Sequence, residues 1–589
     1  MFEFAKYLKA YRFELIAGPV TKLVEAVFEL YIPVVMAKII DIGINGGGGK
    51  PYIIKMGGIM ILLGFLGLCF TLCCQYLASR ASQGVGTNLR NDLFKHINSF
   101  SHAELDKFGS ASLVTRITND VNQVQTAVAM LIRLAVRAPF LVIGAAIMSM
   151  TIDLKLSIVF LVMIPLVALV LYFVMSRSIP FYRVIQKKLD KLSLITGESL
   201  RGSRVIRAFS MQKHEEDKFA EANDDLLATS VSVGKLSALL NPATNVIINL
   251  SIAAIIWFGG YRVYNGVLTQ GQIIQFVNYM TQIFLALVVV ANLVVLFTKA
   301  SACAARINEV FDTAPSVTDG EDNATVDKSD YMLELRNVSF SYNNAEDYDL
   351  SNVSFALKRG ESLGVIGGTG SGKSTLVNLI PRFYDCSKGE VFVNGINVKS
   401  YTLENLRQKI GVVPQKAVLF SGTIAENLKW GNANASEEVM EKALKVSQSW
   451  EFVSKMPDGF NTVLEQGGKN LSGGQKQRLT IARALTSQPD ILILDDSASA
   501  LDFATDAKLR KAIATELSDM TVIIVSQRAN SLKNADKIIV LDDGVPVGKG
   551  THSELLETCD LYKEICLSQF KEEELKATKK EGGQLNEKQ

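Results

Sequence analysis

Six long apolar stretches occupy the first half of the chain, at 14–42, 56–79, 128–152, 154–176, 240–264 and 272–298. Each is near or above the about 20 residues with which a helix crosses a bilayer. Met56 to Ala78 and Leu156 to Met175 are the most uniformly apolar. The segments between them alternate in character. Asn45 to Lys55, Asp153 to Lys155 and Asn265 to Gln270 carry few cations, whereas the long connections 80–127 and 177–239 are dense in them, with Lys187, Lys188, Lys191, Arg201, Arg204 and Arg207 in the second. Cations stay on the cytoplasmic side, so both long connections and both termini are expected there. A polar, acidic stretch between Asp312 and Asp330 reads as a linker. Beyond it the pattern changes to short apolar runs of the buried parallel-strand kind, Leu363 to Ile366 and Ile491 to Leu494 among them. The pattern predicts a polytopic α-helical membrane domain of six helices at 1–311, a linker at 312–331, an α/β P-loop domain at 332–570 and a charged, disordered tail at 571–589.

Composition supports a membrane protein, with 48% hydrophobic residues and a positive mean hydropathy. The net charge of +2 suggests no polyanion partner, and the obvious nucleic-acid-binding motifs are missing. Cys69 and Cys73 are one helical turn apart in the second stretch, with Cys74 beside them, and read as small buried hydrophobes. Cys386, Cys559 and Cys566 fall in the second domain, which the charge pattern places in the cytoplasm, where disulfides are rare. The first basic cluster, Lys6, Lys9 and Arg12, leads into a stretch too long for a signal-peptide core, so no cleavable leader is expected.

The chemistry-bearing residues begin at Gly367-Gly368-Thr369-Gly370-Ser371-Gly372-Lys373-Ser374, followed by Thr375. This is the GxxxxGK[ST] phosphate loop, in its expected place between an apolar strand and a helix-forming run. The glycines let backbone N–H groups close around phosphates, Lys373 reaches the terminal ones, and the Ser374 hydroxyl is placed to ligate Mg²⁺. The apolar run Ile491 to Leu494 ends in Asp495, the expected partner of that Mg²⁺. These two segments fit any P-loop NTPase.

Leu471-Ser472-Gly473-Gly474-Gln475, ahead of a helix-forming run, narrows the choice, and here the chain resembles the ATP-binding cassette (ABC) proteins. In that family the signature is presented to the γ-phosphate of ATP held by the opposite subunit, so two cassettes sandwich two nucleotides. Helix N-terminal N–H groups and a serine suit such an anion. The resemblance further implies that Tyr342 stacks on adenine, that Gln415 links Mg²⁺ to the transport domain, and that Ser499-Ala500-Leu501-Asp502 is the D-loop. It covers the chain to about Gln569 and implies the type I ABC exporter fold. Its coupling turns are expected at Phe108 to Asp120 and Arg204 to Glu216.

Three positions depart from the family. Asp496 replaces the glutamate that polarises the attacking water, and its carboxylate is one methylene shorter. A displacement of about 1 Å in a positioned base costs on the order of a hundredfold in rate. Gln527 stands where the family has its switch histidine, and Gln527 carries no imidazolium charge. Gln466 replaces a glutamate ahead of the signature. The sequence therefore reads as the degenerate-site subunit of a bacterial heterodimeric multidrug exporter, with ATP and Mg²⁺ as cofactors and a second ABC half-transporter as partner. Alternatives are a homodimeric exporter with slow hydrolysis, or an ATP-gated channel or regulatory ABC subunit. In the first apolar stretch, Glu25 and Glu29 are four apart and share a helical face, near Lys22. Either they line a cavity that favours lipophilic cations, or they pair internally.

Overall fold

The computed structural model describes residues 5–321, 330–342 and 345–569. The tail expected at 571–589 and the middle of the expected linker lie outside them. The chain forms two compact units. One runs up to Asn98 and from Ala111 to Asp312; the other comprises Ser99–Ser110 and the chain from Thr313 onward.

The membrane unit is built from long helices because no other local structure satisfies backbone polar groups in hydrocarbon. Among the described residues, five are long and apolar enough to cross a membrane: Gly49–Asn98, Ser110–Ile152, Leu154–Arg201, Gln212–Tyr264 and Gln270–Asp312. The first expected span also forms a helix, Arg12–Lys38, continued by a π-helical turn at Ile39–Ile44. Glu14, Lys22, Glu25 and Glu29 inside it keep it out of the apolar set, so the expected six spans become five by composition plus one charged helix. Small residues let helices approach closely. A Cβ added to Gly18 would stand 2.4 Å from Ile132, and one added to Gly144 would stand 2.6 Å from Leu30. The buried Tyr279 hydroxyl donates to the Leu30 carbonyl at 3.0 Å, which gives a carbonyl near Pro33 an extra partner. Leu154–Arg201 and Gln212–Ala238 run side by side beyond the apolar part, held by Lys188–Asp225 at 2.6 Å and by Ser199 donating to Glu215 at 2.7 Å. The short helix Ser203–Ala208 joins them.

The second unit holds a six-stranded sheet in the order Val545–Gly550, Lys537–Asp542, Ser362–Gly367, Thr521–Val525, Ile491–Asp495, Ile410–Val413. All neighbours are parallel except the first pair. The central strands are nearly continuous runs of buried β-branched and leucine side chains, as strands covered on both faces must be. A second, antiparallel sheet has the order Leu350–Lys358, Tyr331–Phe340, Lys388–Val393, Ile396–Asn397. Among its described residues, one apolar core joins the two sheets around Leu333, Val365 and Leu376, a second packs helices around Leu444, Ile481 and Leu494, and a third gathers Ile538, Leu555 and Tyr562.

The short helix His102–Phe108 belongs to this unit and not to the membrane one. Its capping box pairs Ser101 with Glu104, His102 stacks on Phe383 with ring centroids 4.3 Å apart, and Tyr384 donates to Asp106 at 2.7 Å. The segment expected as the first coupling turn, 108–120, is divided: Phe108 to Ser110 belong to this unit and Ala111 to Asp120 to the membrane unit, where Asp120 is bound by Arg306 and Arg116 reaches the Arg306 carbonyl.

Candidate functional site

The strand Ser362–Gly367 delivers the chain to the phosphate loop, and the helix Lys373–Leu379 leaves it. Gly370 and Gly372 have φ of +84° and +88°, values at which any other residue would be strained. The turn they permit points successive N–H groups into one concavity. A cavity of about 470 Å³ is lined by Tyr342, Tyr348, Asp349, Gly370, Ser371, Gly372, Lys373, Ser374, Thr375 and Asp543. The expected adenine-stacking tyrosine and the phosphate loop therefore face one space. Tyr342 is fixed edge-on by Phe340 and Tyr384, at 4.8 and 5.3 Å, with its hydroxyl 3.2 Å from Thr375 Oγ1 and its N–H bonded to Asp349. Tyr348, Asp349 and Asp543 escaped the sequence reading. Asp542-Asp543-Gly544 is a turn sequence with nothing in it to mark a pocket wall.

Lys373 folds over the loop, donating to the carbonyls of Gly367, at 3.0 Å, and Gly368. Burial lowers its pKa, while Asp496 and Asp495 oppose that shift. An anion between the loop and the amine would restore what burial removes. Ser374 Oγ donates to Asp495 Oδ1 at 3.2 Å. Asp495 is itself raised above the usual aspartate range, by burial first and by the neighbouring Asp496, against the pull of Ser374 and Lys373. Such a carboxylate gains from a cation beside it.

Val525 lies opposite Asp495 in parallel register, and Asp496 N–H donates to the Val525 carbonyl at 3.0 Å. That register carries the two departing positions off the ends of adjacent strands. Asp496 has φ of +44°, in the left-handed region, and its Oδ2 accepts from Gln415 Nε2 at 3.2 Å. Gln527 is exposed, with its carbonyl held by Gln569 at 2.8 Å. The histidines are placed elsewhere: His102 lies on Phe383, His552 is bonded to Tyr562 at 2.7 Å, His96 lies 3.0 Å from the Val310 carbonyl, and His214 sits on the helix Gln212–Ala238.

The signature opens the helix Gly473–Thr486. Ser472 caps it and forms a capping box with Gln475, while Gln477 reaches the Pro414 carbonyl at 3.2 Å, next to Gln415. A Cβ on Gly473 would meet nothing within 4 Å, and one on Gly474 only the Ala500 carbonyl at 3.2 Å and Leu501. None of Ser472, Gly473, Gly474 and Gln475 lines the phosphate cavity. Asp502 caps the helix Phe503–Glu516 by accepting from Thr505, and those bonds lower its pKa.

Comparison with known proteins follows this division. Residues 15–287 match the ABC transporter transmembrane region, and residues 350–499 match the ABC transporter family. The Bacillus subtilis (strain 168) uncharacterized ABC transporter ATP-binding protein YfiB is 40% identical over 566 residues, covering 96% of this chain and 98% of its own. The chain is an ABC exporter half-transporter. A further relative of the half-transporter, 30% identical over 506 residues with 85% and 84% covered, is the ATP-dependent lipid A-core flippase of Syntrophus aciditrophicus (strain SB). Its fold is that of a bacterial Atm1-family ABC exporter with ATP bound, at a TM-score of 0.80 and 24% identity, covering 95% of this chain and 99% of that one. The half-transporter is embedded in a membrane, binds ATP and couples its hydrolysis to transport.

Of the two arrangements open to the membrane carboxylates, the structure has the paired one: Glu25 pairs with Lys22, and Glu29 accepts from Arg137 Nη2 at 2.6 Å.

Proposed function

We propose that this half-transporter is the degenerate-site subunit of a heterodimeric exporter of amphipathic compounds. Its cassette and both termini lie in the cytoplasm, and its signature completes the hydrolysing site built on the partner's Walker motifs. The observation that carries this reading is the state of Asp496. Its carboxylate is short by one methylene, it leaves the strand in a left-handed conformation, and it accepts a hydrogen bond from Gln415. A general base must reach its water. Across the strand register, Gln527 offers no imidazolium, and no histidine of the chain lies against the phosphate cavity.

In this reading Tyr342 presents its ring to adenine, the loop N–H groups hold the phosphates, and Lys373 exchanges its carbonyl partners for phosphate oxygens. The oxygen donors Ser374 Oγ, Gln415 and Asp495 suit Mg²⁺, which when bound neutralises charge on the terminal phosphates. Closing the cassettes is what turns the membrane helices outward. The hairpin tip around Ser203–Ala208 supports pairing with a second cassette, since it exposes Val205 at 60% and Phe209 at 74%. The flippase relative makes lipids candidate cargo beside drugs. Native mass spectrometry of complexes purified from the source membrane tests the assembly. A one-to-one pair with a different half-transporter carrying Glu and His at the positions of Asp496 and Gln527 is expected, and a homodimer with full drug-stimulated ATPase activity contradicts it.

A further inference from the structure

The helix Phe503–Glu516, the strand Thr521–Val525 and the segment 530–536 enclose a groove of about 760 Å³ on the cassette. Its floor is apolar, with Ile513, Leu517, Met520 and Val522. Its rim is basic. Arg510, Lys511 and Lys533 line it with one carboxylate, Asp536, which is already engaged by the backbone N–H and the hydroxyl of Ser362 at 2.8 and 2.7 Å. Arg510 pairs with the buried Asp506 at 2.9 Å and donates to the Asn530 carbonyl at 3.0 Å, but its Nε is buried without a hydrogen-bond partner. Lys511 and Lys533 are exposed, and among the described residues neither forms an ion pair. An apolar floor under a basic rim suits an acidic segment that carries an aliphatic side chain.

The chain supplies such a segment at the mouth of the groove. The last described residue, Gln569, accepts from Ala529 N–H at 2.9 Å and donates to the Gln527 carbonyl at 2.8 Å. The chain therefore leaves the cassette beside Asn530, at the end of the groove where Arg510 sits. The residues that follow in sequence are Phe570-Lys571-Glu572-Glu573-Glu574-Leu575, with three carboxylates ahead of a leucine. Length agrees as well. From Ala507 to Leu517 the groove wall is about 15 Å long at 1.5 Å per helical residue, and five extended residues span about 17 Å.

We propose that this groove is the docking site of the chain's own segment 570–575, with Glu572, Glu573 and Glu574 against Arg510, Lys511 and Lys533 and with Leu575 over Ile513 and Met520. The docked segment bridges the helix that Asp502 caps and the residues that follow Gln527, and so holds one against the other. Charged segments low in apolar residues order when they bind, and three exposed ion pairs are together worth about tenfold in affinity. This latch does not depend on which site hydrolyses ATP.

The unaltered full-length transporter is treated with a carbodiimide, which condenses a carboxylate with a lysine amine in contact with it, and the products are mapped by mass spectrometry. Coupling of Glu572, Glu573 or Glu574 to Lys511 or Lys533 within one chain is expected, in preference to the exposed Lys442 and Lys549. The same product recovered as a covalent dimer puts a second chain's tail in the groove, and coupling without that preference means that the tail does not dock; either overturns the proposal. Hydrogen exchange gives the second reading. The backbone at 507–518 and 530–536 should exchange at least about threefold faster in a transporter ending at Gln569 than in the full-length protein. A synthetic peptide of residues 570–580 should restore the slow rate, and about tenfold more should be needed of a peptide carrying Glu572→Gln, Glu573→Gln and Glu574→Gln. Lys511→Glu combined with Lys533→Glu, at two exposed positions, should speed exchange in the full-length protein in the same way. Equal exchange in the full-length and shortened transporters overturns the proposal. Because coupling is read on the unaltered protein, a shortened form that assembles poorly does not block the test.

Discussion

In our reading the cassette carries two ends that handle phosphate, and they differ in finish. At the signature end, Ser472 and Gln475 satisfy each other's backbone N–H groups, Gly473 faces open space, and Gln477 ties the helix to the segment before Gln415. At the Walker end the loop is equally well formed, but Asp496 is bonded to Gln415 and Gln527 turns its side chain to solvent. The difference separates binding from hydrolysis. Holding a nucleotide needs N–H groups in a fixed concavity, which glycine at Gly370 and Gly372 secures. Cleaving it needs one carboxylate at the correct reach, and a single methylene alters that reach.

Four changes sharpen or break this contrast. The largest effect is expected from Gly473→Glu, which places an anion where the partner site's γ-phosphate sits in our reading. ATPase activity of the purified complex should fall by more than about a hundredfold. The melting temperature should hardly move, because the added side chain meets nothing within 4 Å of its Cβ. Unreduced phosphate release would mean that this signature serves no hydrolysing site. Lys373→Ala comes next. It removes a charge-assisted contact, so ATP affinity at this chain's own site should drop about thirtyfold while much of the ATPase activity survives. Titration with a fluorescent ATP analogue separates the two sites. Tyr342→Ala should weaken the same site by about tenfold, since one ring loses adenine contact. The mildest lever is pH. In our reading Asp495 holds Mg²⁺ only when ionised, and its raised pKa makes the acid form appear at higher pH than for an ordinary aspartate. Mg²⁺-dependent affinity at this site should therefore decline on acidification before that of a site with a normal carboxylate, and Asp495→Asn should remove the dependence.

The legible parts of this molecule are those written in contiguous residues. The phosphate loop, the signature and the strand ending at Asp495 each need a fixed spacing within one segment, and each stands where the sequence put it. The long apolar helices are legible for the same reason. Pairings between distant segments are not. The partner of Glu29 is Arg137, and no local pattern connects them. The helix His102–Phe108 shows the same limit: its capping box is local to Ser101 and Glu104, but which unit it joins depends on the distant packing of His102 on Phe383. The pocket residues Asp349 and Asp543 come from loops whose meeting depends on both sheets.

The central claim is that turnover does not depend on this chain's own catalytic carboxylate. Its most direct test is the ATPase activity of the purified complex carrying Asp496→Asn, measured beside the unaltered complex. Most of the activity should remain, because Asp496 is short and already bonded to Gln415. If Asp496→Asn silences the complex as completely as Gly473→Glu, this half-transporter hydrolyses ATP at its own Walker motifs, and the division of labour between the two ends is wrong.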